Sequence, residues 1–452
     1  MMYKIFSIIN LGCPKNLVDS ESIMGIFVKD GFHYTDDLGL ADVIVVNTCS
    51  FIKPARKESF DVIKEVVNLK KKGSCKKIIV VGCLVQTEGM ELKRKMSGID
   101  VLIGVNDVPK ILEVSGLRGI EEKELESDKI VSKPVWIYDG KPPRVLTGKP
   151  HYAYLKIADG CNHLCSFCTI PKIKGTYRSR KMESIVEEAK GLAMAGIKEL
   201  ILVSQDCTYY GKERGRKNAI VKLLNKLVRI SEFKWIRLLY LYPDYVSDEL
   251  IKIMGSEENI CRYFDIPFQH CSERILKIMR RGGDKIKYLN LISRIREKIP
   301  EASLRTTMII GFPGETEEDF NELVDFCENV QFDNLGVFIY YDEKDADSNK
   351  LGNKIPYNEK VKRRKILLKK QKEILSKKNQ KIIGKIVDAV IDDMNSEYIQ
   401  LRHEGMAPEI DGMIYIRGGK KSFASCKKIR IGEFVKVRLL AIDGYDFIGE
   451  LI

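Results

Sequence analysis

Apolar residues along the chain fall into three successive rhythms. From residue 1 to about 115, short apolar runs alternate with stretches whose apolar positions recur every three or four residues. Lys4–Asn10, Val43–Asn47 and Ile78–Gly82 read as strands, and the stretches from Pro14 through Phe27 and from about Pro54 read as helices. Repeated strand–helix order predicts a parallel sheet covered by helices, with functional loops at the carboxyl ends of the strands. Residues 118–150 carry mixed charge with several Gly and Pro and read as a linker. From 151 the alternation resumes, with strands expected at Ala153–Ile157, Glu199–Val203, Ile236–Leu241, Tyr263–Ile266, Ser303–Ile310 and Leu335–Tyr340 and helices such as Met182–Ala195 between them. That order predicts an open partial (β/α)6 barrel, whose active site lies at the strand carboxyl ends. From about 382 the runs shorten: Lys385–Ile391, Met413–Ile416 and Phe434–Leu440 alternate with Gly- and Asp-containing turns, as in a small antiparallel β-barrel. The expected fold class is therefore α/β. It comprises an N-terminal parallel-sheet domain (1–117), a linker (118–150), the partial barrel with a helical extension (151–381) and the C-terminal barrel (382–452).

Composition narrows the class. The 452 residues suit several domains. No apolar run approaches the length of a membrane-spanning helix, and the N-terminus lacks a signal-peptide layout, so a cytoplasmic protein without membrane contact is expected. In that compartment thiols stay reduced, and clustered cysteines among the 12 present read as metal-binding or catalytic. The net charge is +13, but its placement matters more than its size. Between Lys360 and Lys381 there are 11 basic residues and one acidic, whereas 382–452 holds 10 basic and 11 acidic. The basic run is either a solvated helix face or a contact with RNA, whose affinity would fall steeply with salt.

The strongest chemical signal is Ala-Asp-Gly-Cys-Asn-His-Leu-Cys-Ser-Phe-Cys, which sets Cys161, Cys165 and Cys168 at C-x3-C-x2-C spacing. A short loop with these gaps can turn three thiolates to one point. A cubane cluster has four irons, so three ligands leave one iron open. Structural zinc normally takes four protein ligands, and no fourth Cys or His lies at the usual spacing; the cluster reading is favoured and zinc stays open. Three more cysteines each follow an expected strand of the first domain: Cys13 in Leu-Gly-Cys-Pro-Lys-Asn, Cys49 in Asn-Thr-Cys-Ser-Phe-Ile and Cys83 in Val-Gly-Cys-Leu-Val-Gln. Parallel strands bring these loops to one sheet edge. This makes a second three-thiolate iron–sulfur site, or else three buried structural cysteines.

The C-x3-C-x2-C run, with Phe167 before its last cysteine, resembles the radical S-adenosylmethionine (SAM) superfamily. The three parts in this order resemble the methylthiotransferase family over nearly the whole chain. Its members join an N-terminal cluster domain, a radical SAM core and a C-terminal TRAM domain. The resemblance implies two [4Fe-4S] clusters and SAM as cofactors. Cys161, Cys165 and Cys168 would hold the cluster that cleaves SAM, and Cys13, Cys49 and Cys83 an auxiliary cluster carrying the sulfur to be transferred. A reductant protein and a sulfur donor are implied as partners. Leu11–Glu21 (Leu-Gly-Cys-Pro-Lys-Asn-Leu-Val-Asp-Ser-Glu), Val203–Asp206 with Tyr210–Gly211, and Ala407–Gly412 (Ala-Pro-Glu-Ile-Asp-Gly) resemble the RimO-type subfamily, which modifies the β-carbon of an aspartate in small-subunit ribosomal protein uS12. A near-neutral last segment agrees, because a domain gripping a basic ribosomal protein gains from acidic groups. Glu409 and Asp411 are candidates for that grip, or else parts of a turn with a solvated carboxylate and a backbone-bonded Asp. The MiaB-like alternative is a tRNA adenosine substrate, favoured by the basic helix. Ser204, Arg305 and Gly311 are further candidates for contact with SAM. Arg305 reads equally as half of an internal ion pair. Asp265, Gln269 and His270 are expected near the pocket, and Glu315 as a helix cap or part of the Gly311–Thr316 segment. Cys207 and Cys271 depart from the family pattern and read as small packing residues, or, for Cys207, as a neighbour of the active site. Tyr340–Ala346 also departs from the pattern. Cys75, Cys261, Cys327 and Cys426 match no motif and read as structural.

Overall fold

A computed structural model describes residues 4–73, 75–118, 129–139, 144–418 and 429–452; Cys426 lies outside them. The first part is a six-stranded, wholly parallel sheet of β1 (Ile5–Asn10), β2 (His33–Tyr34), β3 (Val43–Thr48), β4 (Lys77–Gly82), β5 (Val101–Ile103) and β6 (Lys129–Ile130), in the order β2-β1-β3-β4-β5-β6. Every residue of β3, Val-Ile-Val-Val-Asn-Thr, is buried, as expected for a central parallel strand covered on both faces. Chain direction across the sheet reverses between β1 and β3, and crevices for ligands open at such a switch point. Helices α1 (Pro14–Lys29) and α2 (Lys53–Lys71) each carry Pro in the first turn, where its missing N–H costs nothing. The helix α3 (Cys83–Glu88) starts directly from β4.

The second part is the open half-barrel. β7 (Tyr152–Lys156), β10 (Glu199–Val203) and β11 (Trp235–Leu238) form one parallel sheet, and β12 (Tyr263–Asp265), β13 (Ser303–Ile310) and β14 (Asn334–Ile339) another. A parallel bridge between Ile236 and Ile260, and a bond from the Leu241 N–H to the Asp265 carbonyl at 2.8 Å, continue one wall into the other. Along β13 the even-numbered residues are buried and Ser303, Arg305, Thr307 and Ile309 are half-exposed toward the other face. A short antiparallel ribbon, β8 (Ala158–Asp159) with β9 (Arg178–Ser179), brackets the Cys161–Cys168 loop. The helix Tyr357–Gln380 closes this part by burying Lys360, Arg363, Leu367, Gln371, Ile374 and Leu375 at helical spacing.

The last part is a closed barrel of β15 (Ile386–Met394), β16 (Tyr398–His403), β17 (Ile414–Arg417), β18 (Phe434–Asp443) and β19 (Asp446–Leu451), ordered β15-β16-β17-β19-β18. It departs from the expected antiparallel barrel at one seam, where β17 and β19 run parallel. β18 returns to pair with β15, so its hairpin partner β19 must close the barrel against β17. Fully buried ion pairs fasten this barrel to the half-barrel: Glu199 accepts from Arg237 at 2.7 Å and from Arg402 at 2.8 Å. No described helix is long and apolar enough to cross a membrane.

Candidate active site

Cys13 is the N-cap of α1 after β1, Cys49 follows β3 and Cys83 begins α3 after β4. Parallel pairing therefore gathers them at one sheet edge. Gly12, at φ +103°, passes so close to Cys49 that a Cβ there would stand 2.8 Å from the Cys49 Cβ and 3.2 Å from its Sγ. Burial pushes the Cys83 thiol up to about 12; the Lys174 ammonium pulls it back, and the Cys49 and Cys13 sulfurs add to the rise. Burial likewise raises Cys49.

The second triad lies beyond the carboxyl end of β7. Burial pushes the Cys161 thiol up to about 11 and Cys168 up to about 12. Arg281 places Nη1 3.8 Å from the Cys165 sulfur, and the His163 backbone N–H donates to the Cys161 sulfur at 3.4 Å. The His163 ring stacks on Tyr242 at 3.8 Å between centroids, and its Nε2 is 2.7 Å from the Asp206 carboxylate. That carboxylate also caps the turn Cys207–Tyr209, so the cysteine loop is tied to the end of β10. No three His, Cys, Asp or Glu among the described residues are gathered tightly enough to hold a single metal ion. The thiols are grouped on the looser scale over which they act on one another electrostatically. The guanidinium near the Cys165 sulfur and the backbone N–H at the Cys161 sulfur would favour thiolates, the form in which cysteine holds an iron–sulfur cluster.

Charged side chains join the two triads. Asp19 on α1 accepts from Lys156 and, at 3.2 Å, from Lys174; Asp159 stands 3.5 Å from Lys156 and 3.9 Å from Lys174. Lys174 ends the short helix Ile170–Lys174 that follows Cys168, so one ion cluster spans both cysteine loops. Glu343, from the departing Tyr340–Ala346 segment, accepts from the Lys53 N–H at 2.6 Å and from Arg56, holding the start of α2.

Several other expected site residues sit elsewhere. The Ser204 hydroxyl is fully buried, donates to the Cys207 sulfur at 3.4 Å and accepts from the Asp206 N–H at 3.1 Å, so it shapes a turn and has no open face. Arg305 takes the ion-pair role, at 2.7 Å from Asp265 and 3.6 Å from Asp411. Asp411 does not reach outward: its carboxylate accepts from Tyr263 at 2.6 Å and from the Ala407 N–H at 2.8 Å, and its side chain is only 2% exposed. Glu409 is exposed and accepts from the Tyr152 hydroxyl at 2.8 Å. Phe167 is half-buried against Phe312, Tyr340, Ile275 and Met279. Gly311, at φ +68°, donates its N–H to Glu315 at 2.8 Å. Glu315 is not the helix cap; Thr316 and Asp319 form that capping box, while Glu315 folds back to Arg363 at 2.6 Å. Asp265 accepts from the Tyr240 N–H at 3.0 Å, Gln269 adopts φ +73°, and His270 is fully buried, which pushes it down to about 4. Cys207, Cys271, Cys75, Cys261 and Cys327 are all buried. Arg281, Asp206, Asp19 and Lys174 escaped the sequence reading; only the closeness of Lys174 to Cys168, and of Asp19 to Cys13, signalled them.

This architecture defines a radical SAM protein with an added cysteine-bearing sheet and a terminal barrel. Family models agree in the same order: an "Uncharacterized protein family UPF0004" over residues 5–104, the "Radical SAM superfamily" over 155–327 and the "TRAM domain" over 383–452. The chain is 39% identical over 449 residues to the ribosomal protein uS12 methylthiotransferase RimO of Trichlorobacter lovleyi, covering 99% of this chain and 98% of that one. It is 42% identical over 447 residues to RimO of Clostridioides difficile, covering 98% of each. Among solved structures, the radical SAM methyltransferase TsrM of Kitasatospora setae, with cobalamin and a [4Fe-4S] cluster bound, superposes with a TM-score of 0.55 at 15% identity over 75% of each chain, a likeness of fold alone. The chain belongs to the RimO family of radical SAM methylthiotransferases.

Proposed function

We propose that this enzyme adds a methylthio group to the β-carbon of an aspartate in small-subunit ribosomal protein uS12. The observation that carries this reading is the match, over nearly the full length of both chains, to relatives named for that activity. Cys161, Cys165 and Cys168 would hold one [4Fe-4S] cluster and Cys13, Cys49 and Cys83 a second. When bound, such clusters with SAM supply a carbon radical that takes hydrogen from an unactivated carbon, and the sulfur that replaces it. The chain's own work is placement. The Lys156–Asp19–Lys174–Asp159 ion cluster fixes the two cysteine edges against each other, and Arg281 and the His163 N–H set positive potential on the Cys165 and Cys161 sulfurs. A cytoplasmic setting, a reductant protein, a sulfur donor and substrate free or on the small subunit belong to the same reading. The tRNA alternative leans on the basic helix, but Lys360 and Arg363 of that helix turn inward, to the Tyr340 carbonyl at 3.1 Å and to Glu315.

The test compares uS12 peptides and tRNA nucleosides by mass spectrometry in cells with and without the protein. Loss of a methylthio-aspartate on depletion is expected. Unchanged uS12 with loss of a methylthio-adenosine would replace the substrate and keep the chemistry.

A further inference from the structure

Among the described residues three lysine side chains are buried outright, and each spends its charge inside the protein. Lys156 and Lys174 meet carboxylates, and Lys360 donates to the Tyr340 carbonyl. Lys15 is different. It stands two residues after Cys13, in the first turn of α1, and is half-buried where the N-terminal sheet faces the half-barrel. Its ammonium lies 3.7 Å from the centroid of the Tyr240 ring and 3.5 Å from the Ser204 carbonyl, at the long limit of a hydrogen bond. Among the described residues it has no carboxylate at ion-pair distance. A ring face attracts a cation without consuming its N–H donors, so the ammonium keeps donor capacity that the fold does not use.

The setting is built. Tyr240 carries its ring to Lys15 from a backbone at φ +60°, a conformation uncommon and strained for a bulky residue, and such strain collects at functional sites. Asp265 holds that backbone through the Tyr240 N–H. Cys13, Cys161 and Cys168 all keep partial exposure. Lys15 lies two residues from Cys13 and reaches the end of β10 at Ser204. A half-buried ammonium with free donors gains most from an anion with two oxygens, because charge-assisted hydrogen bonds are about twice as strong as neutral ones.

We propose that Lys15 is the anchor for the side-chain carboxylate of the residue this enzyme modifies, holding it between the Tyr240 ring and the N-terminal cysteines. The assignment rests on the uS12 aspartate reading and deepens it: the acid would be selected by a cation of the N-terminal domain, and its β-carbon would be set between the two triads. Lys15 is a substrate-binding residue in this account and moves no proton.

The experiment measures binding by fluorescence anisotropy. The full-length protein with its clusters reconstituted is titrated into labelled peptides of the uS12 segment bearing either the target Asp or Asn in its place. Wild type should bind the Asp peptide roughly 10- to 100-fold more tightly than the Asn peptide, the span of a hydrogen bond to a charged group. Lys15→Met should bind both with the Asn-like affinity, and Lys15→Arg should retain part of the preference. Iron content is measured on each variant. A Lys15→Met protein that keeps the Asp preference overturns the proposal. So does one that loses iron, which would make Lys15 a support for the thiols. Equal binding of both peptides by wild type also overturns it. If wild type binds neither peptide while depletion removes a methylthio-adenosine from tRNA, the uS12 reading fails first and the anchor falls with it.

Discussion

Replacing Asp19 with Asn tests whether one carboxylate holds the cysteine-bearing sheet to the half-barrel. Asp19 and Asp159 together balance Lys156 and Lys174, and the side chains of all four are at most 10% exposed. Asn keeps the shape and an acceptor oxygen but removes the charge, leaving two buried ammoniums against one carboxylate. Removing one partner of a buried pair costs about 3–5 kcal/mol. The retained acceptor and the surviving contacts to Asp159 place the expected loss near the lower end, about 3 kcal/mol. It falls on the docking of one domain on another, so local opening is a better readout than global melting. Hydrogen exchange followed by mass spectrometry should show amides of Asn16–Ser20 and Lys156–Gly160 exchanging roughly 100-fold faster, the ratio that about 3 kcal/mol implies. Amides of β12 to β14 should keep their rates. Adding Lys156→Met removes one orphaned ammonium and should return part of the loss, as expected for coupled neighbours. Exchange changed by less than about threefold would mean that the cluster contributes no more than an exposed ion pair, and the account of how the triads are positioned would be wrong.

Gly12→Ala should displace Cys49 and lower the iron bound by the reconstituted protein. Gly31→Ala is its control, because Gly31 also has positive φ, +87°, but nothing within 4 Å of the added Cβ. Equal iron in both variants would show that close approach to Cys49 is unimportant. Cys83→Ala should abolish methylthiolated product; product formed at the full rate would remove the N-terminal triad from the reaction. Asp319 gives a pH prediction. Burial raises its pKa, but hydrogen bonds from Ser272, the Thr316 backbone and Arg274 outweigh that and hold it at about 2. Its folded pKa is depressed, so its stabilisation, up to about 2 kcal/mol, is complete above the unfolded pKa of about 4 and is lost as pH falls toward 2. The difference in urea stability between wild type and Asp319→Asn should therefore shrink between pH 5 and pH 2.5, and a constant difference refutes the assignment of these hydrogen bonds to the ionised carboxylate.

The three-part fold was legible because each part writes a different period into the chain. Val43–Val46 of β3 and Ile78–Val81 of β4 are unbroken apolar runs, as expected for strands covered on both faces. The parallel seam between β17 and β19 was not legible, since pairing direction at a barrel's closure is set by the path of the chain and leaves no mark on either strand. The strand-end rule placed Cys13, Cys49 and Cys83 after β1, β3 and β4, at one edge of the parallel sheet, because it acts within one domain. The charges around them obey another logic. Arg305 and Asp411 come from different domains, and the neighbourhood of each left an external ligand and an internal role equally open; juxtaposition across the interface gave them each other. Lys15, Asp19, Lys156 and Lys174 show the same limit from the other side. Nothing local distinguishes these lysines, yet once α1 is laid against β7 two of them are neutralised by carboxylates and Lys15 is not. An unspent charge becomes visible only after every internal pairing has been assigned. The residue that selects a substrate is therefore the last that sequence can reveal and among the first that an assembled interface exposes.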